Sequence, residues 1–247
     1  MPQQLRAVLF DKDGTLVSFH ATWTRAYEQA AGDVASLCGG QIDAAQLLTA
    51  GGLDPTTGRY DARSVLACGN AADIARVWQS HLPGSTDAGG ECLSLDRVEA
   101  AIESAFQVSV GWTPVAVEGL CSALRALHAR GLSLGVATMD SQAMAAMHLE
   151  ALRISDYFSF VCGYDSGHGV KPDPGMLQAF CNATGHAPGA VVMVGDTPHD
   201  LEMGRRAGAG LLVGVLTGTG ERTDLLPLAD VVLPSLAALP AHLAQLD

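Results

Sequence analysis

The chain opens on a short apolar run, Leu5-Arg6-Ala7-Val8-Leu9-Phe10, which stops at the polar turn Asp11-Lys12-Asp13-Gly14-Thr15. An apolar run bounded by a Gly-containing polar turn predicts a buried strand. From about Ala21 to Phe106 the pattern changes to helical spacing, with helices near 21–38, 42–50, 71–81 and 94–107. They are separated by Gly39-Gly40, Gly51-Gly52 and the stretch from Gly84 to Gly90, and no strand is expected among them. After Thr113-Pro114, helices near 117–130, 141–152, 174–184 and 199–207 alternate with strands near 132–137, 159–162, 190–194, 211–215 and 230–233. Such alternation implies parallel strands with crossover helices, an α/β doubly wound, Rossmann-like sheet. One strand before the helical block and several after it predict a core of residues 1–17 and 114–247. An all-helical cap domain, residues 18–113, would be inserted after the first strand.

Ligands of open α/β sheets bind beyond the carboxyl ends of the strands, so polar residues there are the candidates. Asp11, directly after the first strand, can present a carboxylate as nucleophile toward a phosphoryl group, splitting one displacement into two. Asp13 is placed to give a proton to a leaving alkoxide and to take one from water. Gly14 allows a sharp turn beside a phosphate, and Thr15 can supply a hydroxyl and an N–H. Asp196 and Asp200 follow the apolar strand at 191–195, one at its terminus and one at the start of a helix. Two carboxylates so placed suit a hard, oxygen-loving cation.

Charge narrows the partners. With 14 Lys+Arg against 26 Asp+Glu the formal charge is −12, a field that repels nucleic acid and that admits a small phosphorylated metabolite only where a cation or a local cluster of donors overrides it. Hydrophobic residues at 48% with 16% charged disfavour disorder. No apolar stretch approaches the ~18 residues of a membrane span, and the N-terminal residues lack the cationic region and cleavage site of a secretory signal, so the expected place is the cytoplasm. The six cysteines form no C-x-x-C pair and are expected to be buried reduced thiols. The only lysines are Lys12 and Lys171, and each falls at one of the candidate strand-end sites. Against twelve arginines, a lysine at 171 points to a need for a compact ammonium.

Taken in order, Asp11-x-Asp13-Gly14-Thr15, Thr138 after Leu-Gly-Val-Ala, Lys171 in Val-Lys-Pro-Asp-Pro, and Gly195-Asp196-x-x-x-Asp200 resemble the four motifs of the haloacid dehalogenase-like superfamily. The resemblance implies a phosphatase with a helical cap at the place of the insertion. It implies Mg²⁺ held by Asp11, Asp196, the main-chain carbonyl of Asp13 and Asp200, the last as a ligand or through the outer shell. It further implies that Thr138 hydrogen-bonds the transferring phosphoryl while Lys171 neutralises it and holds Asp11. Three carboxylate charges would then be matched by Mg²⁺ and Lys171, leaving a locally neutral pocket for a phosphate dianion.

Asp13 sets the branch, because dehalogenases of the superfamily lack an acid there and phosphonatases use a cap lysine that this chain does not have. Cap type and spacing are most similar to phosphoglycolate phosphatase-like members. A β-phosphoglucomutase-like mutase shares the architecture but would need a second phosphate site in the cap, where the basic residues are outnumbered by acids. A catalytically silent phosphate-binding protein would usually have lost the nucleophile or a metal acid, and neither is lost here. Met139 departs from the Asn that many phosphoglycolate phosphatase-like relatives carry after the motif threonine. His20, Trp23 and Arg63, with Arg59, are candidates for substrate contact, set against plain readings as a surface histidine, a cap-core tryptophan and solvated charges. A monomer or homodimer is expected.

Overall fold

The computed structural model describes residues 4–82, 93–109 and 114–246; the Gly84 to Gly90 stretch and Cys92 lie outside the described residues. In chain order it forms β1 (Ala7–Phe10), α1 (Phe19–Leu37), α2 (Ala44–Ala50), β2 (Leu53–Asp54), β3 (Arg59–Tyr60), α3 (Val65–Cys68), α4 (Ala71–Ser80) and α5 (Leu95–Ser109). There follow α6 (Leu120–Ala129), β4 (Ser133–Ala137), α7 (Gln142–Ala151), β5 (Phe160–Cys162), α8 (Gly175–Thr184), β6 (Val191–Gly195) and α9 (Pro198–Ala207). The chain ends on β7 (Leu211–Val215), α10 (Arg222–Leu225), β8 (Val231–Leu233) and α11 (Leu239–Leu243). Two compact units result, Met1–His20 with Pro114–Asp247, and Ala21–Thr113.

The first unit is built on a six-stranded sheet in the order β5-β4-β1-β6-β7-β8, every pair parallel. Its four inner strands, β4, β1, β6 and β7, are buried on both faces, as their apolar runs require. On β1, Val8 and Phe10 point into one layer with Leu120, Leu124 and Leu127 of α6. Ala7 and Leu9 point into the other with Met176, Leu177 and Phe180 of α8 and Leu201 and Met203 of α9. From β1 the chain steps one way to β4 and β5 and then returns to the other side for β6, β7 and β8. The direction reverses around β1, so the loops after β1, β4 and β6 diverge and leave a crevice at the carboxyl edge.

The second unit is helical, and it also holds the β2–β3 antiparallel hairpin that periodicity does not predict. Two residues per strand are too few to register an alternation. The link is set by turn chemistry: Asp54 accepts from the Thr56 N–H and the Thr57 hydroxyl, both at 2.8 Å. Capping boxes at Asp43/Gln46 and Asn70/Asp73 start α2 and α4. Trp23, Tyr27 and Phe106 form an aromatic cluster, and Trp78 is fully buried. Five cysteines are free among the described residues. Four are buried, but Cys121 is exposed, contrary to expectation, because α6 turns positions 120, 123, 124 and 127 inward and 121 outward. No helix of the described residues is long and apolar enough to cross a membrane.

Candidate active site

The turn after β1 is closed tightly by Gly14 N–H to Val17 C=O (2.7 Å) and by Leu16 and Val17 N–H to Lys12 C=O (2.8 and 2.9 Å). Gly14 takes φ +90°, and a side chain there would lie 2.5 Å from the Asp196 carboxyl carbon, so both backbone angle and space demand glycine. Asp11 is held at the strand end by its N–H to Val194 C=O (2.8 Å) on the neighbouring strand. Its side chain therefore faces those that leave the end of β6.

Asp200 sits in the first turn of α9, where its Oδ2 accepts from the Thr197 N–H (3.0 Å) and hydroxyl (2.6 Å). Its Oδ1 accepts from Lys171 Nζ at 2.6 Å, and the same ammonium donates to Asp11 Oδ1 at 2.5 Å. Asp196, wholly buried, accepts on Oδ2 from the Thr219 N–H (2.8 Å) and hydroxyl (3.3 Å) and on Oδ1 from the Thr15 hydroxyl (3.4 Å). One oxygen each of Asp11, Asp196 and Asp200 lies within 4.8 Å of the others. Asp11, Asp13, Thr15, Lys171, Asp196 and Asp200 are thus brought to one edge of the sheet from across the chain.

Three carboxylates lie around one ammonium, and the imbalance shows in the proton affinities of Asp11 and Asp196. Burial pushes the Asp11 carboxyl up to about 7, with Asp200 and Asp13 adding to the rise and Lys171 opposing it. Burial and then the charges of Asp11 and Asp200 hold Asp196 well above the usual carboxylate range. Burial alone would lower Lys171, but Asp11 and Asp200 hold its ammonium above its ordinary value. Asp11 Oδ2 is buried without a hydrogen-bond partner. An all-oxygen donor set, an excess of negative charge and an unsatisfied buried carboxylate oxygen together fit a hard divalent cation.

Thr138 is buried at the end of β4, its hydroxyl accepting from the Asp140 N–H at 3.1 Å. Met139 beside it is half-buried. His20 and Arg63 are exposed, and Trp23 is buried with its ring 5.1 Å from Phe106 and 5.8 Å from Tyr27. The first structural unit holds all the motif residues, while Trp23 and Arg63 belong to the second.

Two features escape the motif reading. The Thr217-Gly218-Thr219-Gly220 loop after β7 cradles Asp196, and Thr217 donates to Gly14 C=O at 2.6 Å. A side chain at Gly218 would fall on the Asp196 carboxylate. The same strand-end logic, applied to β7, points to this loop. A second cluster joins Lys12, Asp13, Asp140 and His148. Burial raises Asp140 to about 6 from 3.8, so the folded protein binds a proton there that the unfolded chain releases. Stability from this group therefore falls as pH rises from about 4 to about 6. In thermal melts across that range, Asp140→Asn is expected to lose less stability than wild type; parallel profiles would show that Asp140 ionises normally.

Comparison with known proteins gives a consistent result. A family model described as haloacid dehalogenase-like hydrolase matches residues 5–208. The phosphoglycolate phosphatase of Escherichia coli K12 is 30% identical over 254 residues, covering 95% of this chain and 90% of that protein. The structure of a predicted phosphoglycolate phosphatase from Haemophilus somnus 129PT superposes with a TM-score of 0.73 at 19% identity, over 97% of this chain and 98% of that one. CbbY from Rhodobacter sphaeroides in complex with phosphate superposes with a TM-score of 0.66 at 19% identity, over 96% of each chain.

Proposed function

The chain belongs to the haloacid dehalogenase-like hydrolases, as a phosphatase of phosphoric monoesters, and from that premise we propose that it hydrolyses a small phosphorylated metabolite of the phosphoglycolate type through a phosphoryl group carried on Asp11. The observation that carries the reading is the meeting of Asp11, Asp196 and Asp200 around the Lys171 ammonium at the switch point of the sheet. Asp11, Asp196, Asp200 and the main-chain carbonyl of Asp13 would hold Mg²⁺, which when bound supplies charge neutralisation for the phosphate and for the nucleophile.

Asp11 Oδ2, free of hydrogen bonds, attacks phosphorus while Oδ1 stays on Lys171. A bond forms from Asp11 to phosphorus, the ester P–O bond breaks, and the Asp13 proton passes to the departing alkoxide. In the second half-reaction a water oxygen bonds to phosphorus, the bond to Asp11 breaks, and the water's proton goes to Asp13. Thr138, whose hydroxyl oxygen already accepts from Asp140 N–H, has its hydroxyl proton to give to the phosphoryl group. Lys171 bridges Asp11 and Asp200, offsetting their mutual repulsion, and meets the charge that builds on the phosphoryl oxygens.

A panel of phosphate esters assayed with Mg²⁺ and with chelator tests the reading. Release should require the metal, with phosphoglycolate among the best substrates by kcat/KM; metal-independent release, or none from any ester, would refute it. Asp196→Asn is expected to weaken Mg²⁺ binding by well over tenfold, since losing outer-shell partners alone costs about 10–100-fold. Titration calorimetry with the metal reads this directly, and an unchanged affinity would remove Asp196 from the ligand set.

A further inference from the structure

Lys12 stands between the two acids of the first motif, and its side chain is wholly buried. A buried ammonium must be paired. Nζ donates to Asp13 Oδ1 at 2.9 Å and lies 2.8 Å from Oδ2, so both carboxylate oxygens face it. It also lies 3.1 Å from Asp140 Oδ2, in the loop after β4, and 2.9 Å from Nδ1 of buried His148 on α7. An ammonium has only protons to give, so His148 must accept on Nδ1 as a neutral ring. Burial, reinforced by the Lys12 charge, lowers His148 to about 4, which keeps the ring neutral.

The seat is itself fixed. Asp140 Oδ1 accepts from the Ser141 N–H at 2.8 Å, and Ser141 caps α7 by accepting from the Met144 N–H at 3.2 Å. One ammonium therefore ties the turn after β1 to the loop after β4 and to the helix that follows. Asp13 is the only partly exposed member of that set with a part in the reaction, at 15% for its side chain. An apolar residue would fill the space of Lys12 but would leave the Asp13 carboxylate without this anchor and Asp140 facing it as a like charge.

We propose that Lys12, seated on Asp140 and His148, is the positioning residue for Asp13, fixing the carboxylate that moves the proton in both half-reactions. The inference rests on the reading of Asp13 as acid and base given above. Its test is kcat/KM for a series of aryl and alkyl phosphates of rising leaving-group pKa, in excess Mg²⁺, for wild type, Lys12→Met and Asp13→Asn. This quantity reports transfer to Asp11, where a positioned proton donor counts most for the poorest leaving group. Lys12→Met should lose on the order of tenfold more on an alkyl ester than on a nitrophenyl ester, and Asp13→Asn more still. Should Lys12→Met fail to fold, Lys12→Met/Asp140→Asn, which removes both charges of a pair, is read in the same series. A uniform loss across the series in the Lys12 variant, with a steeper series in Asp13→Asn, overturns the positioning role and leaves Asp13 as the acid. No steepening in Asp13→Asn removes that assignment and the inference with it.

Discussion

Asp11→Asn lowers phosphate release by at least about 10⁴-fold while leaving the protein folded, the outcome expected when the nucleophile is lost and nothing else. Asn keeps an oxygen to accept from Lys171, and Lys171 retains Asp200 as its counter-charge. Ionised Asp11 is costly in this setting, because burial and two neighbouring acids raise its proton affinity. The variant should therefore unfold no more easily than wild type in the absence of metal, in urea titrations at neutral pH. A folded variant that kept near wild-type turnover would remove the nucleophile from Asp11.

The second large effect is on Lys171. Lys171→Met removes the single cation between Asp11 and Asp200, whose side chains are 9% and 1% exposed. Breaking a buried pair by taking one partner costs about 3–5 kcal/mol, since the other charge is left uncompensated. Here two carboxylates are left, and both sit beside a third. Denaturant titration should show a loss of that order near neutral pH. The loss should shrink as pH falls toward about 7 and level off below it, because there Asp11 carries a proton with or without the ammonium. Added Mg²⁺ should restore part of the stability and none of the turnover, as an ion can replace the charge but not the ammonium's hydrogen bond to the nucleophile. A pH-independent loss would mean that packing of the lysine stem, and not its charge, holds this edge together.

The fold was legible wherever an element is long or buried on both faces. The six strands of the sheet stand out because parallel strands are uninterrupted apolar runs, and α1, α4 and α5 because their apolar spacing persists over two turns or more. The order β5-β4-β1-β6-β7-β8 is not written in any local pattern. What the sequence does carry is the position of acids just past strand ends, and the sheet order then brings Asp11 and Asp196 together. The β2–β3 hairpin was invisible because Asp54 and Thr57, and not a strand periodicity, determine it. Asp196 was found by its motif, but its support by Thr219 was not, because Thr and Gly after a strand are ordinary turn residues. Lys12 was visible only as an uncommon residue type. Its partners Asp140 and His148 lie more than a hundred positions away, and only the β1–β4 pairing brings them near.

A double displacement on Asp11 carries a signature that no single displacement shares. A thiophosphate ester made chiral at phosphorus with oxygen isotopes, hydrolysed by the wild-type protein with Mg²⁺ in isotopic water, reports the stereochemical course in one measurement. Two in-line transfers, first to Asp11 and then to water, give net retention of configuration at phosphorus, and retention is the expected result. Inversion would mean that water attacks the substrate directly, and a phosphoryl group on Asp11 would be contradicted.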